Sequence, residues 1–182
     1  MQQYAAGVFM KAKISAKEFY NAVYAQIGSL TPINADCGRL CGGKCCEVTE
    51  EITGMYLFPF ENAMYENMPQ WGEIYDTDFS YGDEKYIDLF TCDGTCERDK
   101  RPLSCRIFPL APYKKRGGKL EIIMDPRGKG LCPLASVMKI EDLDKEFVSA
   151  VRKAMLLCLK EENCREFIYS LTESFDSAED II

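Results

Sequence analysis

The chain has 182 residues, enough for one domain with a hydrophobic core, and its apolar content of 47% is that of a folded protein. The formal net charge is −7, and the apolar runs are far too short to cross a bilayer. The sequence contains no histidine, which excludes serine–histidine and cysteine–histidine nucleophile pairs and histidine-containing zinc fingers. The N-terminus lacks the apolar run of a secretory signal, so we expect a soluble, cytoplasmic protein without a membrane partner.

The first predicted element is a helix that begins after Ser15, a residue type that caps helices. Apolar side chains follow at helical spacing, and Gly28 and Pro32 should end the helix. Those apolar residues are Phe19, Tyr20, Val23, Tyr24 and Ile27.

The middle of the chain is predicted to contain short elements of both types. The stretch "EITGMYLFPF" is typical of a strand or an extended segment, and "FENAMYENM" of a short helix. The acidic, aromatic stretch "WGEIYDTDFSYGDE" is predicted to be irregular, whereas "EKYIDLFTC" alternates as a strand does. "RPLSCRIFP" predicts a helical turn that starts at Pro102, and "APYKKRGGKLEIIMDP" predicts a hairpin around Gly117 and Gly118.

From Glu141 onward the pattern is helical, with two apolar stripes, and "SAEDII" is predicted to be a loose tail. The stripes comprise Phe147, Val148, Val151, Met155, Leu156 and Leu159, then Phe167, Ile168 and Leu171. We therefore predict a single α+β domain over residues 1–182. A cysteine-rich irregular middle with a β-hairpin (about 35–135) lies between an N-terminal helix and two C-terminal helices (about 140–175).

Eight of the ten cysteines are concentrated in the middle of the chain, with spacings C-x3-C-x3-C-C, C-x3-C-x8-C and C-P. In a cytoplasmic chain such clusters bind metal or carry out redox chemistry more often than they form disulfides. Short spacers let one loop place two sulfurs on one ion. We therefore expect zinc, iron or an iron–sulfur cluster as the cofactor, with these metal ligands: Cys37, Cys41, Cys45, Cys46, Cys92, Cys96, Cys105 and Cys132.

Cys45 and Cys46 are adjacent and cannot easily ligate one tetrahedral ion. Either they serve two sites, or one binds metal while the other packs. Eight cysteines suffice for two four-thiolate sites, but spacing alone does not assign the partners.

Thiolates concentrated in this way require positive charge and hydrogen-bond donors nearby. Lys44, Arg101 and Arg106 adjoin cysteines, and glycines in the spacers can adopt positive φ and turn N–H groups toward sulfur. Cys105 would lie near the start of the helical turn at Pro102, so we expect it to ionise most easily. The spacer glycines are Gly42, Gly43 and Gly94.

The last two cysteines, Cys158 and Cys164, fall in the helical C-terminal region, and core packing is the expected role. Basic residues are also segregated, with ten basic and three acidic side chains between Arg98 and Lys129. This segment can bind nucleic acid, or it can balance the thiolates and the acidic stretch from Glu47 to Asp88. We expect the second, since no nucleic-acid-binding motif accompanies the charges.

The first cluster also resembles two other motifs, and in both cases the match is incomplete. "GRLCGGKC" nearly matches the phosphate-binding loop G-x4-G-K-[ST], but cysteine replaces the magnesium-binding hydroxyl and no clear strand precedes it. "CGRLCGGKC" resembles the C-x3-C-x2-C motif of radical S-adenosylmethionine enzymes but has one residue too many.

The combination of "CGRLCGGKCC" with "FTCDGTCERDKRPLSCRIFPLAPY" resembles the bacterial cysteine-cluster family with a CxxCxxCC-type signature, described as zinc- or iron-chelating proteins. The first part matches at Cys37, Cys41, Cys45 and Cys46. The second matches at Cys92, Cys96, Arg101, Pro102, Cys105, Arg106 and Pro109. The third spacer is one residue longer than is usual, and Cys132 is additional. The resemblance implies a metal-binding cysteine cluster.

Three functions are compatible with this sequence. The first is a metal-binding protein in which zinc or iron is held by cysteine thiolates and organises the fold. The second is an iron–sulfur enzyme that modifies a protein or small substrate, such as a lysine N-methylase-like protein. Flagellin lysine N-methylases are similar in this motif but are longer chains, so their activity is not carried over. The third is a metal-free thiol redox switch. No catalytic residue and no partner other than the metal ion is predicted.

Overall fold

Helix α1 (Ala16–Ile27) begins and ends where the sequence predicts. In the computed structural model, residues 14–35, 37–47, 54–94 and 96–179 are described, apart from the side chains of Arg39 and Glu179. The Ser15 hydroxyl accepts a hydrogen bond from the Glu18 N–H (3.2 Å), and Glu18 accepts one from the Ser15 N–H (2.8 Å). This capping box satisfies free donors at the start of the helix. Gly28, with φ of 55°, ends it.

Three strands form an antiparallel sheet in the order β1–β3–β2: β1 (Met55–Tyr56), β2 (Gly72–Tyr81) and β3 (Lys85–Cys92). The strand prediction for β3 is confirmed, whereas the prediction of irregular structure over 71–84 is wrong. β2 pairs with β3 from Gly72 opposite Cys92 to Tyr81 opposite Lys85. β2 lies at the sheet edge, where acidic residues on the open side are tolerated and mask the strand pattern.

Two helices of five residues and a hairpin complete the middle of the chain. Helix α2 (Cys37–Cys41) contains the first two cysteines, and α3 (Leu103–Ile107) follows Pro102, which is the N-cap rather than the first helical residue. The predicted hairpin is present as β4 (Leu110–Tyr113) and β5 (Glu121–Met124). Short 3₁₀ segments occur at 44–46, 61–65, 98–100, 126–128 and 140–142.

After α4 (Pro133–Val137), the chain ends in two long helices, α5 (Lys145–Cys158) and α6 (Glu162–Glu179). α6 extends into the segment predicted to be a tail, and residues 180–182 lie outside the described residues. The main core is built by α1, α5 and α6 with the hairpin and α3. Fully buried residues of this core include Tyr20, Leu103, Phe147, Met155 and Ile168.

The predicted fold class is thus confirmed: a single α+β domain, with helices at both ends and two small antiparallel sheets between them. Among the residues described here, no helix is long and apolar enough to span a bilayer.

A buried carboxylate connects the helical core to the cysteine-rich middle. Glu61 has no exposed surface, and its oxygens accept hydrogen bonds from the Tyr24 hydroxyl (2.5 Å) and from the N–H groups of Leu103 (2.5 Å) and Phe58 (2.8 Å). Leu103 is the first residue of α3, whose N-cap is a proline without a capping side chain. Glu61 therefore caps α3 from a distant part of the chain.

We expect Glu61 to make the stability of the fold pH-dependent. Burial raises the pKa of Glu61 from 4.5 to about 7, against the opposing effect of its hydrogen bonds. The folded state therefore binds this proton more tightly than the unfolded state. The resulting stabilisation is full below the unfolded pKa and is lost as pH rises to about 7, on the order of 3 kcal/mol.

Urea unfolding of wild type and Glu61→Gln across this pH range tests the assignment. Glu61→Gln should lower stability at every pH, because an amide cannot accept all three hydrogen bonds, and it should flatten the slope. Glu66→Gln, at an exposed carboxylate paired with Lys17, is the matched control and should keep the slope. A wild-type slope in Glu61→Gln would show that another group titrates.

Candidate metal centre

Five cysteines from three separate parts of the chain line one cavity of about 180 Å³. The 3₁₀ segment at 44–46 contributes the adjacent pair, the last residue of β3 and the loop after it contribute Cys92 and Cys96, and α3 contributes one. Arg101 and Glu47 also line the cavity, together with apolar side chains such as Phe90 and Phe108. We call this set the pocket cluster: Cys45, Cys46, Cys92, Cys96 and Cys105.

Within the pocket cluster, Cys96 is the centre of a network of sulfur contacts. Cys45 and Cys46 have their Sγ atoms 3.8 Å apart. The Arg101 Nε donates to the Cys96 Sγ at 3.0 Å. Cys96 thus has a charged donor in direct contact, and Cys46 and Cys92 are the thiols that most affect its pKa.

This network divides the thiols into those that ionise easily and those that keep their protons. The hydrogen bonds from Cys46 and Cys92 lower the pKa of Cys96, and the Arg101 guanidinium lowers it further. Contact with the Cys46 thiol lowers the pKa of Cys45 to about 6. Donation to Cys96 raises the pKa of Cys92, even though the Gly94 N–H, in a turn with φ of 83°, hydrogen-bonds its sulfur. Cys96 is the preferred first anion.

The prediction that Cys105 ionises most easily is wrong. Burial raises the pKa of Cys105, and the negative charge of nearby Cys96 raises it further, which outweighs the attraction of Arg101. A five-residue helix gives little dipole stabilisation, and the third residue of α3 faces a mostly apolar cavity. The residues that activate a thiol here are its neighbours in space.

Of the three cations predicted to balance the thiolates, only Arg101 donates a hydrogen bond to a described sulfur. Lys44 pairs with Glu47 at 2.9 Å, in an exposed salt bridge. The Arg106 Nε donates to the Arg101 carbonyl at 2.6 Å, a second Arg106 nitrogen donates to the Asp99 carbonyl, and its guanidinium lies 4.1 Å from the centre of the Tyr24 ring. Arg106 therefore fixes the backbone of the loop that presents Arg101.

The other three predicted ligands, Cys37, Cys41 and Cys132, lie beside the pocket cluster, and we call them the outer thiols. Burial raises the pKa of Cys37, and the charges of Cys45, Cys41 and Cys132 raise it further, whereas Arg98 lowers it. Arg98 is the first residue of the basic segment that the sequence predicts to balance the thiolates. The cavity therefore brings together five of the eight predicted ligands, and Cys37, Cys41 and Cys132 do not line it.

Cys158 and Cys164 lie elsewhere, as expected. Both have no exposed surface and belong to the main core, where the Cys164 sulfur is 3.6 Å from the Tyr20 hydroxyl. None of the ten cysteines forms a disulfide. Burial strongly raises the pKa of Cys164, which is typical of an inert core thiol.

The cations of the hairpin tip are balanced by α6, not by the thiolates or the acidic stretch from Glu47 to Asp88. Lys115 pairs with Asp176 at 2.9 Å, and Arg116 pairs with Glu166 at 2.8 Å. The Arg116 guanidinium also lies 4.6 Å from the centre of the Tyr169 ring. These basic side chains of the hairpin tip therefore form ion pairs within the domain.

The donor chemistry of the pocket cluster suits a thiophilic metal, because several thiols and one cation share a cavity. Across the described ranges, however, no set of three or more cysteine or acidic side chains already has the geometry to hold an ion. No protein-family model matches the chain, and no curated protein or solved structure shows significant similarity to it.

We expect chelator-treated protein to be alkylated by iodoacetamide at Cys45 and Cys96 before Cys105, because the thiolate is the reactive form. Arg101→Leu should shift the pH midpoint of Cys96 alkylation upward by about 1 unit or more, since it removes an adjacent positive charge. Peptide mass spectrometry gives the rate at each cysteine. Arg116→Leu, which removes a cation distant from the cluster, should leave the Cys96 midpoint unchanged. Faster labelling of Cys105 than of Cys96 would contradict the assignment.

Proposed function

We propose that this protein binds zinc or iron through clustered cysteine thiolates, and that the metal organises the middle of the domain. The observation that carries the proposal is the convergence of five thiols from three chain segments on one cavity beside Arg101. Apolar packing alone does not require several thiols beside a cation. The eight-cysteine pattern and its resemblance to the zinc- or iron-chelating cysteine-cluster family support the same function.

The charges in the pocket cluster favour metal binding over a purely structural role. Metal ligands must be deprotonated, and Cys96 and Cys45 are the thiols whose pKa values are lowered. A divalent ion with four thiolates carries a charge of −2, as does an oxidised four-iron cluster, so a counter-ion is needed in a half-buried site. Arg101 provides one positive charge and a direct N–H···S hydrogen bond.

The metal would supply cross-links between segments that are distant along the chain. The 44–46 turn, the 92–96 loop and α3 would be held together through sulfur. Such sites contribute binding energy directly to folding. Cytoplasmic location fits this proposal, because reducing conditions keep thiols available for metal.

A second candidate is an iron–sulfur enzyme that acts on a protein substrate. The feature that favours it is the cavity itself, which has apolar walls, including Met55 and Phe108, beside the thiols and Arg101. A cofactor at one end of such a cavity can act on a side chain that enters from the other. The metal-free redox switch has weaker support, since the close Cys45 and Cys46 sulfurs belong to neighbouring residues.

Elemental analysis of protein purified without air tests the proposal. We expect zinc, or iron with acid-labile sulfide, in stoichiometric amount. Cys96→Ser should lose metal and Arg101→Leu should bind it about 10- to 100-fold more weakly. Cys158→Ala, a change at a core cysteine, should keep the full metal content.

The result also separates the three functions. Colourless protein with zinc supports a structural site, and brown protein with iron and sulfide raises the enzyme to first place. Folded wild-type protein with neither metal would refute metal binding and leave the redox switch.

A further inference from the structure

Strand β2 has a partner on one side only among the described strands, because the order β1–β3–β2 places it at the edge of its sheet. The Asp93 N–H donates to the Trp71 carbonyl at 3.0 Å, next to the first register pair of β2 and β3. Hydrogen-bonded and non-hydrogen-bonded pairs alternate in an antiparallel ladder. Ile74 and Asp76 therefore direct their N–H and C=O groups away from β3, toward the open edge.

The edge strand and the turn after it carry negative charge only. Residues 72–84 include five acidic side chains and no basic one: Glu73, Asp76, Asp78, Asp83 and Glu84. Within the described ranges, none of the five forms a salt bridge. At the hairpin tip, by contrast, Lys115 and Arg116 are paired with acidic residues of α6. The negative charge of the β2 edge is therefore available to a basic partner.

An open cavity of about 430 Å³ lies where the register of β2 and β3 shifts. It is lined by Asp76, Thr77, Asp78, Tyr86 and Asp88. Asp76 lies directly opposite Asp88, where burial raises the pKa of Asp88 and the charge of Asp76 raises it further. Tyr86 is 60% exposed, and the face of an aromatic ring attracts cations. A cation in this cavity would relieve the repulsion between the two carboxylates.

The arrangement favours a basic side chain over a metal ion or a second copy of this chain. In the part of the chain that the structure describes, no three acidic side chains are placed to hold an ion together. A second copy of β2 would bring the same carboxylates to the edge, and like charges on paired strands are destabilising. A lysine or arginine side chain is long and flexible, and it requires no tight shell of ligands.

We propose that the β2 edge binds an extended basic peptide segment of another protein, which adds to the sheet as a strand beside β2. Main-chain hydrogen bonds at Ile74 and Asp76 hold the segment, and a lysine or arginine side chain in the cavity gives the preference for basic sequences. Side chains alternate across a strand, so basic residues at every second position of the segment share one face. The proposal does not depend on metal at the pocket cluster.

Fluorescence anisotropy of the full chain with a labelled peptide of alternating lysine and threonine tests the proposal. The peptide should bind, and the matching glutamate–threonine peptide should not. Asp76→Asn combined with Asp78→Asn should weaken binding by about 3- to 10-fold, because two cross-strand charge pairs are lost. Glu121→Gln combined with Glu146→Gln removes the same charge at exposed sites on β5 and α5 and should leave the affinity unchanged. Absence of binding, or equal binding by the two peptides or by the aspartate variant, would overturn the proposal.

Amide hydrogen exchange measured by NMR separates strand addition from attraction between charges alone. The bound lysine–threonine peptide should slow exchange at Ile74 and Asp76, whereas Tyr75, which faces β3, should change little. Peptide binding without this protection would refute strand addition. Protection of Ile74 in a dimer of the protein alone would assign the edge to a second copy, and displacement of the peptide by one magnesium ion per chain would assign the cavity to a metal. Either result would overturn the proposal.

Discussion

The buried carboxylate of Glu61 is the constraint on which the arrangement of this domain depends. It accepts hydrogen bonds from α1 through Tyr24, from the turn at Phe58 and from the first N–H of α3. The buried Tyr20 hydroxyl of α1 adds a second polar link to this turn, because it donates to the Pro59 carbonyl at 2.7 Å. Because an isolated carboxylate in the core would be costly, the three donors must stay in place, and α3 is fixed relative to the helical core. The position of Cys105 follows from that of α3.

Charge is balanced locally in the segment from 96 to 106. This short stretch contains two thiols, and it also provides Arg98, Arg101 and Arg106. Arg101 hydrogen-bonds a sulfur, Arg98 lies near the outer thiols, and Arg106 holds the loop through the Arg101 and Asp99 carbonyls. In the proposed metal site, ligand sulfur and counter-charge would therefore come from the same short segment of the chain.

The sequence predicts best where one local rule decides the structure. The Ser15 capping box defines α1, the paired glycines at 117 and 118 define the hairpin, and period-3.6 apolar stripes define α5 and α6. Prediction from the sequence fails where contacts with residues distant along the chain determine the structure. Acidic residues mask the pattern of β2, which is an edge strand, and the pKa of Cys105 is raised by burial and by the charge of Cys96. Glu61 has no local signal, because Tyr24 and Leu103, which donate to it, are distant in sequence.

The distribution of apolar contacts separates the role of the core from that of the thiols. The main core contains Cys158 and Cys164. None of the eight cysteines of the middle region belongs to it. Cys92 packs only against the small second cluster formed by Leu57, Tyr65 and Phe90. The helices are therefore stabilised by apolar burial without the thiols, whereas the 44–46 segment, which presents Cys45 and Cys46, has no buried residue. In the proposed site, metal would join this segment to β3 and α3, which the apolar clusters already fix, and its loss would loosen the 44–46 segment while α1, α5 and α6 stay packed.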